Sequence, residues 1–424
     1  MRSRAPQLPR SKTTMLAATL ILFLLPPALI GPTQSTGDDW STKRPVDTPR
    51  SNSGAAVLNG HIHVVGGIDI SLHVLSANDV YDPGSDSWSS GAPLPTPTSA
   101  PGVVALDGRL YSIGGVIPVG QRSALTSTVQ VYDPTTNKWT SRASLPRPTQ
   151  GLLVATVGGL IYAMGGVSAS GIENSTWIYS PMNDTWREGA QMSTYLSSLS
   201  QGPDQVAVVG GKIYVFDQSW GSVGPGLPIY PSPLFNILYD PATDTWTHWP
   251  ALLARGARGN PISLSGDSMV AIGTKILVIG GNDVGLWCTG SCSIHPEPSP
   301  VDQYNFEYDT LTGNWTRRTD MPTGRLGLVT AYVGGAVYAI GGSTDKTNPL
   351  ATGYTDLNEA YIPCSGVCPP FQPSSPFPYF TWISAGAATA VVAAVGLMGF
   401  MQWKKHKQRP PIRPLPPVNW RTQS

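Results

Sequence analysis

Short apolar runs along this chain end repeatedly on two adjacent glycines: HIHVVGG at Gly67, RLYSIGG at Gly115, LIYAMGG at Gly166, KILVIGG at Gly281 and AVYAIGG at Gly342. Runs of this length, rich in Val, Ile and Tyr, read as strands. Each of these five, and a sixth run, KIYVF, is preceded by a tight-turn pair: Asn59-Gly60, Asp107-Gly108, Gly158-Gly159, Gly210-Gly211, Gly273-Thr274 or Gly334-Gly335. A turn dipeptide between strand-like segments predicts a hairpin. Further on in each unit stands a tyrosine, at Tyr81, Tyr132, Tyr179, Tyr239, Tyr308 and Tyr361. Seven residues after the first five come Trp88, Trp139, Trp186, Trp246 and Trp315. The pattern predicts units of four short strands, a to d, with short a–b and c–d turns and a variable b–c loop. Its period of roughly fifty residues marks a repeat architecture.

A unit of four antiparallel strands is too small to bury a core alone, which predicts the blades of a β-propeller. The ends of the array predict how it closes. Tyr361 opens a sixth unit, yet seven residues on stands Cys368, whereas Trp40 has no tyrosine before it. The N-terminal segment is therefore expected to supply strand d of the last blade, leaving no open edge there. The fold class read from the chain is all-β: a six-bladed propeller closed by an N-terminal strand, with one C-terminal transmembrane helix.

The double glycine followed by spaced tyrosine and tryptophan resembles the kelch repeat family, over about Trp40 to Pro363. The resemblance implies that the paired glycines lie where strand b ends against neighbouring backbone, with no room for a Cβ. It also implies that Tyr and Trp fill the space between blades. One unit departs: GKIYVFDQS has Asp217-Gln218 where the glycine pair belongs. No helix follows the glycines, so they are not a phosphate cradle.

Charge is uneven. All 26 acids lie from Asp38 to Glu359 against 17 of the 27 basic residues, leaving that region near −9 and arguing against a nucleic-acid partner. Arg2, Arg4, Arg10 and Lys12 precede an apolar stretch, Met15 to Leu25, which reads as a secretory signal peptide over 1–31. Residues 380–403 carry no charge and are long enough to span a bilayer, and KKHKQR follows. The expected organisation is a propeller at 38–363 outside the cell or in the lumen, a Pro/Ser-rich linker at 364–379, the span, and a cytoplasmic tail at 404–424. A single-pass protein of the cell membrane or a secretory-pathway membrane follows. Asn174, Asn183 and Asn314 stand in sequons, expected to carry glycans.

The resemblance extends to copper-radical galactose oxidases, whose site needs Tyr and His ligands and a Tyr-linked Cys. Here His61, His63, His73, His248 and His295 show no ligand spacing, and His63 occupies the position of Tyr111 and Tyr162. No nucleophile motif is present. The expectation is a binding module without cofactor or metal, taking a protein or carbohydrate ligand on its loop face. An oxidase-like enzyme and a structural cell-surface protein are the alternatives. CTGSC (Cys288, Cys292) and CSGVC (Cys364, Cys368) lie at opposite faces of the expected blades, so two local disulfides are expected. The candidate ligand-binding residues are Arg50, Arg147, Arg258 and Arg325 in the d–a connections, expected either to line a basic funnel for an acidic ligand or to brace the seams between blades. In the tail, the stretch from Arg413 to Pro417, RPLPP, resembles the ligands of polyproline-binding adaptors.

Overall fold

The computed structural model describes residues 38–192, 206–216, 236–250, 267–281, 303–345 and 353–364, and the backbone of two short strands at Trp287–Cys288 and Cys292–Ser293. Among these residues there is no helix, and the chain forms six four-stranded antiparallel sheets. Sheet I holds Gly54–Leu58, His61–Val65, Asn78–Asp82 and Ser87–Ser90 as strands a to d. Sheet II holds Gly102–Leu106, Arg109–Ile113, Val129–Asp133 and Lys138–Arg142. Sheet III holds Leu153–Val157, Leu160–Met164, Thr176–Ser180 and Thr185–Glu188. Sheet IV holds Val206–Val209, Lys212–Phe216, Asn236–Asp240 and Thr245–His248. Sheet V holds Asp267–Ile272, Lys275–Gly280, Asn305–Asp309 and Asn314–Arg317. Sheet VI takes Val329–Val333, Ala336–Ile340 and Asn358–Ile362 from the end of the array and Asp39–Lys43 from its start.

The a strands neighbour one another in order from I to VI, and VI neighbours I. They surround an axial channel of about 320 Å³, lined mostly by small apolar side chains such as Ala55, Val104, Ala155 and Ala331. Strand b of each sheet is packed on both faces and reads as a nearly continuous apolar run, as at Leu110–Ile113. Strand d, at the outer rim, keeps mostly exposed residues, as at Lys138–Arg142. The core lies between sheets rather than inside any one. Ile62, Val64 and Tyr81 of sheet I pack with Val329, Tyr338 and Ile340 of sheet VI, and every other pair of neighbours shares a similar cluster.

Each tyrosine stands directly across the c–d ladder from its tryptophan, in sheet VI Tyr361 across from Trp40. Ring centroids are 5.0–5.2 Å apart in all six pairs. The tryptophan Nε1 then reaches back to the preceding sheet and donates to a backbone carbonyl just past its strand d. Trp88 donates to Arg44, Trp139 to Ala92, Trp186 to Ala143, Trp246 to Ala190, Trp315 to Pro250 and Trp40 to Thr319.

The tyrosine hydroxyl donates to an acid or amide in the c–d turn: Asp86, Asn137, Asp184 and Asp244, and in sheet VI Asp38. The same side-chain oxygen accepts the backbone N–H of the residue whose carbonyl the tryptophan holds, at 2.7–2.9 Å in the first four sheets. One peptide position is thus gripped at both its N–H and its C=O by the next sheet. All five clasp residues sit at positive φ (48–68°), which Asn and Asp tolerate better than most side chains. Sheet V lacks the acid and has Gly313 there, and the position it would grip is Pro250, which has no N–H to donate. That seam is filled instead by Trp249, buried against Tyr214, Phe216, Tyr308 and Trp315.

The double glycines hold the other side of each seam. In sheet I both have positive φ, Gly66 at 67° and Gly67 at 100°. A Cβ on Gly66 would stand 2.2 Å from the Thr98 carbonyl oxygen, backbone that cannot yield. Gly67 N–H donates to that same carbonyl at 3.0 Å, in the connection leading into sheet II. Only glycine combines this conformation with this approach. Asp217-Gln218, which replace the pair in sheet IV, lie outside the described residues.

Candidate functional site

Connections d–a and b–c share one face, and the d–a arginines can be placed by their register in the repeat. Arg50 and Arg325 are each four residues past a buried apolar anchor, Val46 or Met321; Thr98 and Thr149 fill that position after Leu94 and Leu145. Arg147 is two past its anchor, where Thr48, Thr96 and Thr323 stand in other units. The sequence-level grouping of these arginines therefore joins two different positions. Arg258 lies outside the described residues.

At the first position the side chain turns inward. Arg325 has no exposed surface. Its Nη2 donates to Glu359 Oε2 at 2.8 Å and to Ala339 O at 3.2 Å, and its Nη1 to Gly341 O at 2.9 Å and Leu357 O at 3.1 Å. Burial pulls the guanidinium pKa down, opposed by the Glu359 carboxylate. Arg50, also buried, is paired with Asp79 and donates from Nε to Thr48 O. The backbone carbonyls of the two arginines accept the N–H of Gly281 and Gly342 from the sheet before. Each therefore joins two neighbouring sheets, side chain in one and carbonyl on the other, which is the seam geometry. Arg147 differs. Its side chain is 49% exposed, and its Nη1 donates to both oxygens of Glu173 at 2.7 Å. Burial pushes the Glu173 carboxyl up, but hydrogen bonds from Ser168 and Arg147 outweigh it and hold the pKa below the usual carboxylate range.

The b–c face carries a raised second tier. Arg50–Ser51 pairs with Ile68–Asp69, Ser99 bridges to Val116, Thr149–Gln150 pairs with Val167–Ser168, and Leu326 bridges to Ser343. From this tier rise two hairpins, Val116–Val119 with Arg122–Leu125, and Val167–Ser168 with Gly171–Ile172. Exposed apolar residues crown it over three consecutive sheets: Ile70 and Leu72 from I, Val119 from II, Ile172 from III. Leu72 is 55% exposed and held at φ +63°, an uncommon conformation for a leucine. The loop is built on Asp69, whose carboxylate accepts the N–H groups of Ser71 and His73 and the His73 ring while its carbonyl accepts Leu72 N–H. Nothing in the sequence pattern marked this crown; a leucine following an Asp-Ile-Ser turn is the one local signal.

His63 is buried, hydrogen-bonded through Nδ1 to Asn78 at 2.9 Å, and burial lowers its pKa, so it is a neutral core residue. Among the described residues no three His, Cys, Asp or Glu side chains converge as metal ligands. Cys288 and Cys292 face each other as backbone partners in their short ladder, and Cys364 is disulfide-bonded. Asn183 and Asn314 are exposed at c–d turns on the opposite face, while Asn174 is half-buried with its Nδ2 donating to Met192 O at 3.3 Å. No helix of the described residues is long and apolar enough to cross a membrane; the 380–403 segment, the tail with Arg413, and Cys368 lie outside them.

Sheets arranged around an axial channel, clasped seam by seam, define a β-propeller protein. A family model described as Kelch motif matches residues 49–95, 97–146 and 148–193, the first three sheets with their connections. Kelch-like protein terF of Aspergillus terreus is 26% identical over 256 residues, 55% of this chain and 47% of that protein. Human Kelch-like protein 23 is 27% identical over 225 residues, 52% of this chain and 34% of that one. The Arabidopsis thaliana F-box/kelch-repeat protein At1g22040 is 28% identical over 238 residues, 53% and 46% of the two chains. The chain therefore spans less than half the length of these relatives. Among solved structures, that of YjhT superposes with a TM-score of 0.56 at 16% identity, covering 75% of this chain and 96% of that one, a likeness of fold. Kelch motifs are thus recognised over the first three sheets, and the relatives with similar sequences are kelch-repeat proteins.

Proposed function

We propose that this chain is a binding module: a six-bladed kelch propeller over 38–363 that holds a protein or carbohydrate ligand on its b–c face. Residues 1–31 act as a signal peptide, 380–403 anchor the chain, and the propeller stands outside the cell or in a secretory lumen. The observation that carries the reading is the asymmetry of the two faces. Among the described residues one has only short turns, with Met182 and Leu311 exposed singly on sheets III and V, which are not neighbours. The other carries the raised tier with Ile70, Leu72 and Val119 more than half exposed, and apolar side chains grouped at a surface mark an interaction site. A strained leucine presented to solvent is a cost to folding that contact with a partner would offset. The test is site-specific photo-cross-linking of the full-length chain in cells, with the cross-linking residue at position 72, 119 or 182. Products are expected from 72 and 119. Products from 182 alone, on the c–d face, would overturn the assignment.

The lumenal placement makes a sharper prediction for glycans. Asn183 and Asn314 are expected to be modified and Asn174 unmodified, because its amide already serves Met192 and is half-buried. Peptide mapping after glycosidase treatment decides this, and unmodified Asn183 and Asn314 would remove the lumenal reading. Local disulfides, Cys288–Cys292 and Cys364–Cys368, belong to the same reading, as does a polyproline-binding adaptor at the cytoplasmic RPLPP stretch. The c–d face, from which both chain ends leave, looks toward the bilayer.

A further inference from the structure

On the crown, the Val116–Val119 and Arg122–Leu125 hairpin of sheet II stands beside the Val167–Ser168 and Gly171–Ile172 hairpin of sheet III. A groove of about 390 Å³ is lined by Leu125 of the first, Ser168, Ala169 and Ser170 of the second, and Arg147 with Pro148 from the connection leading into sheet III. Its first wall is an open strand edge. Among the described residues Arg122–Leu125 pairs only with Val116–Val119.

The register says where that edge points. Val116 exchanges both backbone hydrogen bonds with Ser99, at 2.8 and 2.9 Å, so its polar groups face away from Leu125 opposite. In an antiparallel ladder such outward pairs alternate, so Leu125 and Ser123 direct their N–H and C=O groups to the free side. Pro118, opposite Ser123, has no N–H to give inward, in keeping with that phase. Arg122 and Ser123 are exposed.

Charge selects the occupant. Residues 116–128, 144–151 and 167–175 contain Arg122 and Arg147 against a single acid, Glu173. Glu173 is buried and engaged with Ser168 and with Nη1 of Arg147. Among the described residues Nε and Nη2 of Arg147 have no partner, and the side chain is half exposed. A carboxylate approaching from solvent meets two arginine donors already oriented by Glu173.

We propose that this groove takes an extended acidic segment of a partner protein, which adds as a strand to the free edge of Arg122–Leu125 and places a carboxylate on Arg147. Main-chain bonds to Ser123 and Leu125 give affinity without demanding a sequence, and the arginine selects an acid at one position. Val119 and Ile172, exposed on the two hairpins, give apolar contact at its margins. The inference rests on the b–c face being the binding face and specifies one occupant there.

A random-heptapeptide display library panned on the full-length chain tests it. Enriched peptides are expected to carry an Asp or Glu among β-branched residues. Their binding should fall about tenfold with Arg147→Gln and with Ser123→Pro, each worth about one charge-assisted or edge hydrogen bond. Melting temperatures of both variants check that each still folds; if Ser123→Pro does not, N-methylation of the peptide backbone removes the same edge bonds from the other side. Enriched peptides insensitive to these changes, or no enrichment, overturn the proposal. Photo-cross-links from positions 72 and 119 would in that case still leave the b–c face as the binding face, so the two readings fail separately.

Discussion

Trp40→Ala is expected to destabilise the propeller by about 3 kcal/mol, the range for removing a large packed aromatic, and to open it at one seam. Trp40 packs on Tyr361 with centroids 5.2 Å apart and donates to Thr319 O at 2.8 Å. Beside it, Asp38 accepts the Tyr361 hydroxyl and, at 3.4 Å, Thr319 N–H. In every other sheet the tyrosine and tryptophan stand on strands c and d joined by a turn, whereas this pair holds a strand from residues 39–43 against strand Asn358–Ile362. Loss of the clasp there releases the strand instead of merely loosening a joint. Hydrogen exchange should therefore rise at the amides of Asn358–Ile362, while the equivalent Trp186→Ala should lose stability without exposing a whole strand edge. Unchanged protection of Asn358–Ile362 in Trp40→Ala would show that closure does not depend on this residue.

The second large effect belongs to Arg325. Arg325→Met is expected to cost about 3–5 kcal/mol, because it strands the buried Glu359 carboxylate with Thr323 Oγ1 as its remaining side-chain donor. A guanidinium stays charged in proteins, so a charge pair is lost. The double variant Arg325→Met/Glu359→Gln should recover part of the loss, since no lone charge stays buried. Arg147→Gln also leaves a buried carboxylate, Glu173, but Ser168 still donates to it and the lost cation is half in water, so the cost should be smaller, about 1–2 kcal/mol. Urea unfolding of the full-length variants measures all three. An Arg325→Met variant as stable as wild type, or a double variant no better than the single, would sink the seam role; a cost at Arg147 equal to that at Arg325 would make the two positions alike.

The repeat, its strands, and the pairing of each tyrosine with its tryptophan were legible in the chain because they are local. A five-residue strand buried on both faces must be apolar throughout, a turn leaves its dipeptide, and a ladder places Tyr81 and Trp88 at matched distances from one c–d turn. Even closure by Trp40 could be read, since a missing tryptophan at one end and a spare one at the other are both visible in one dimension. The clasp acids carried a signal too, an Asp or Asn five residues after the tyrosine, but its purpose lies in a peptide group roughly forty to fifty residues upstream. Gly313 looks like a defect until Pro250 is seen at the place it would grip.

The arginines show the limit from the other side. By sequence alone Arg50, Arg147 and Arg325 are three basic residues in proline-rich connections. A shift of two residues in the repeat separates them: the fourth position after the anchor points into the sheet, where a charge survives only with a carboxylate such as Glu359, and the second points toward the crown. That carboxylate comes from strand c, more than thirty residues away in the chain, and exposure of a side chain depends on what the neighbouring blade covers. Composition and period determine that blades form and in what order. Which charges those blades bury, and which they leave to a partner, is decided only when adjacent blades meet.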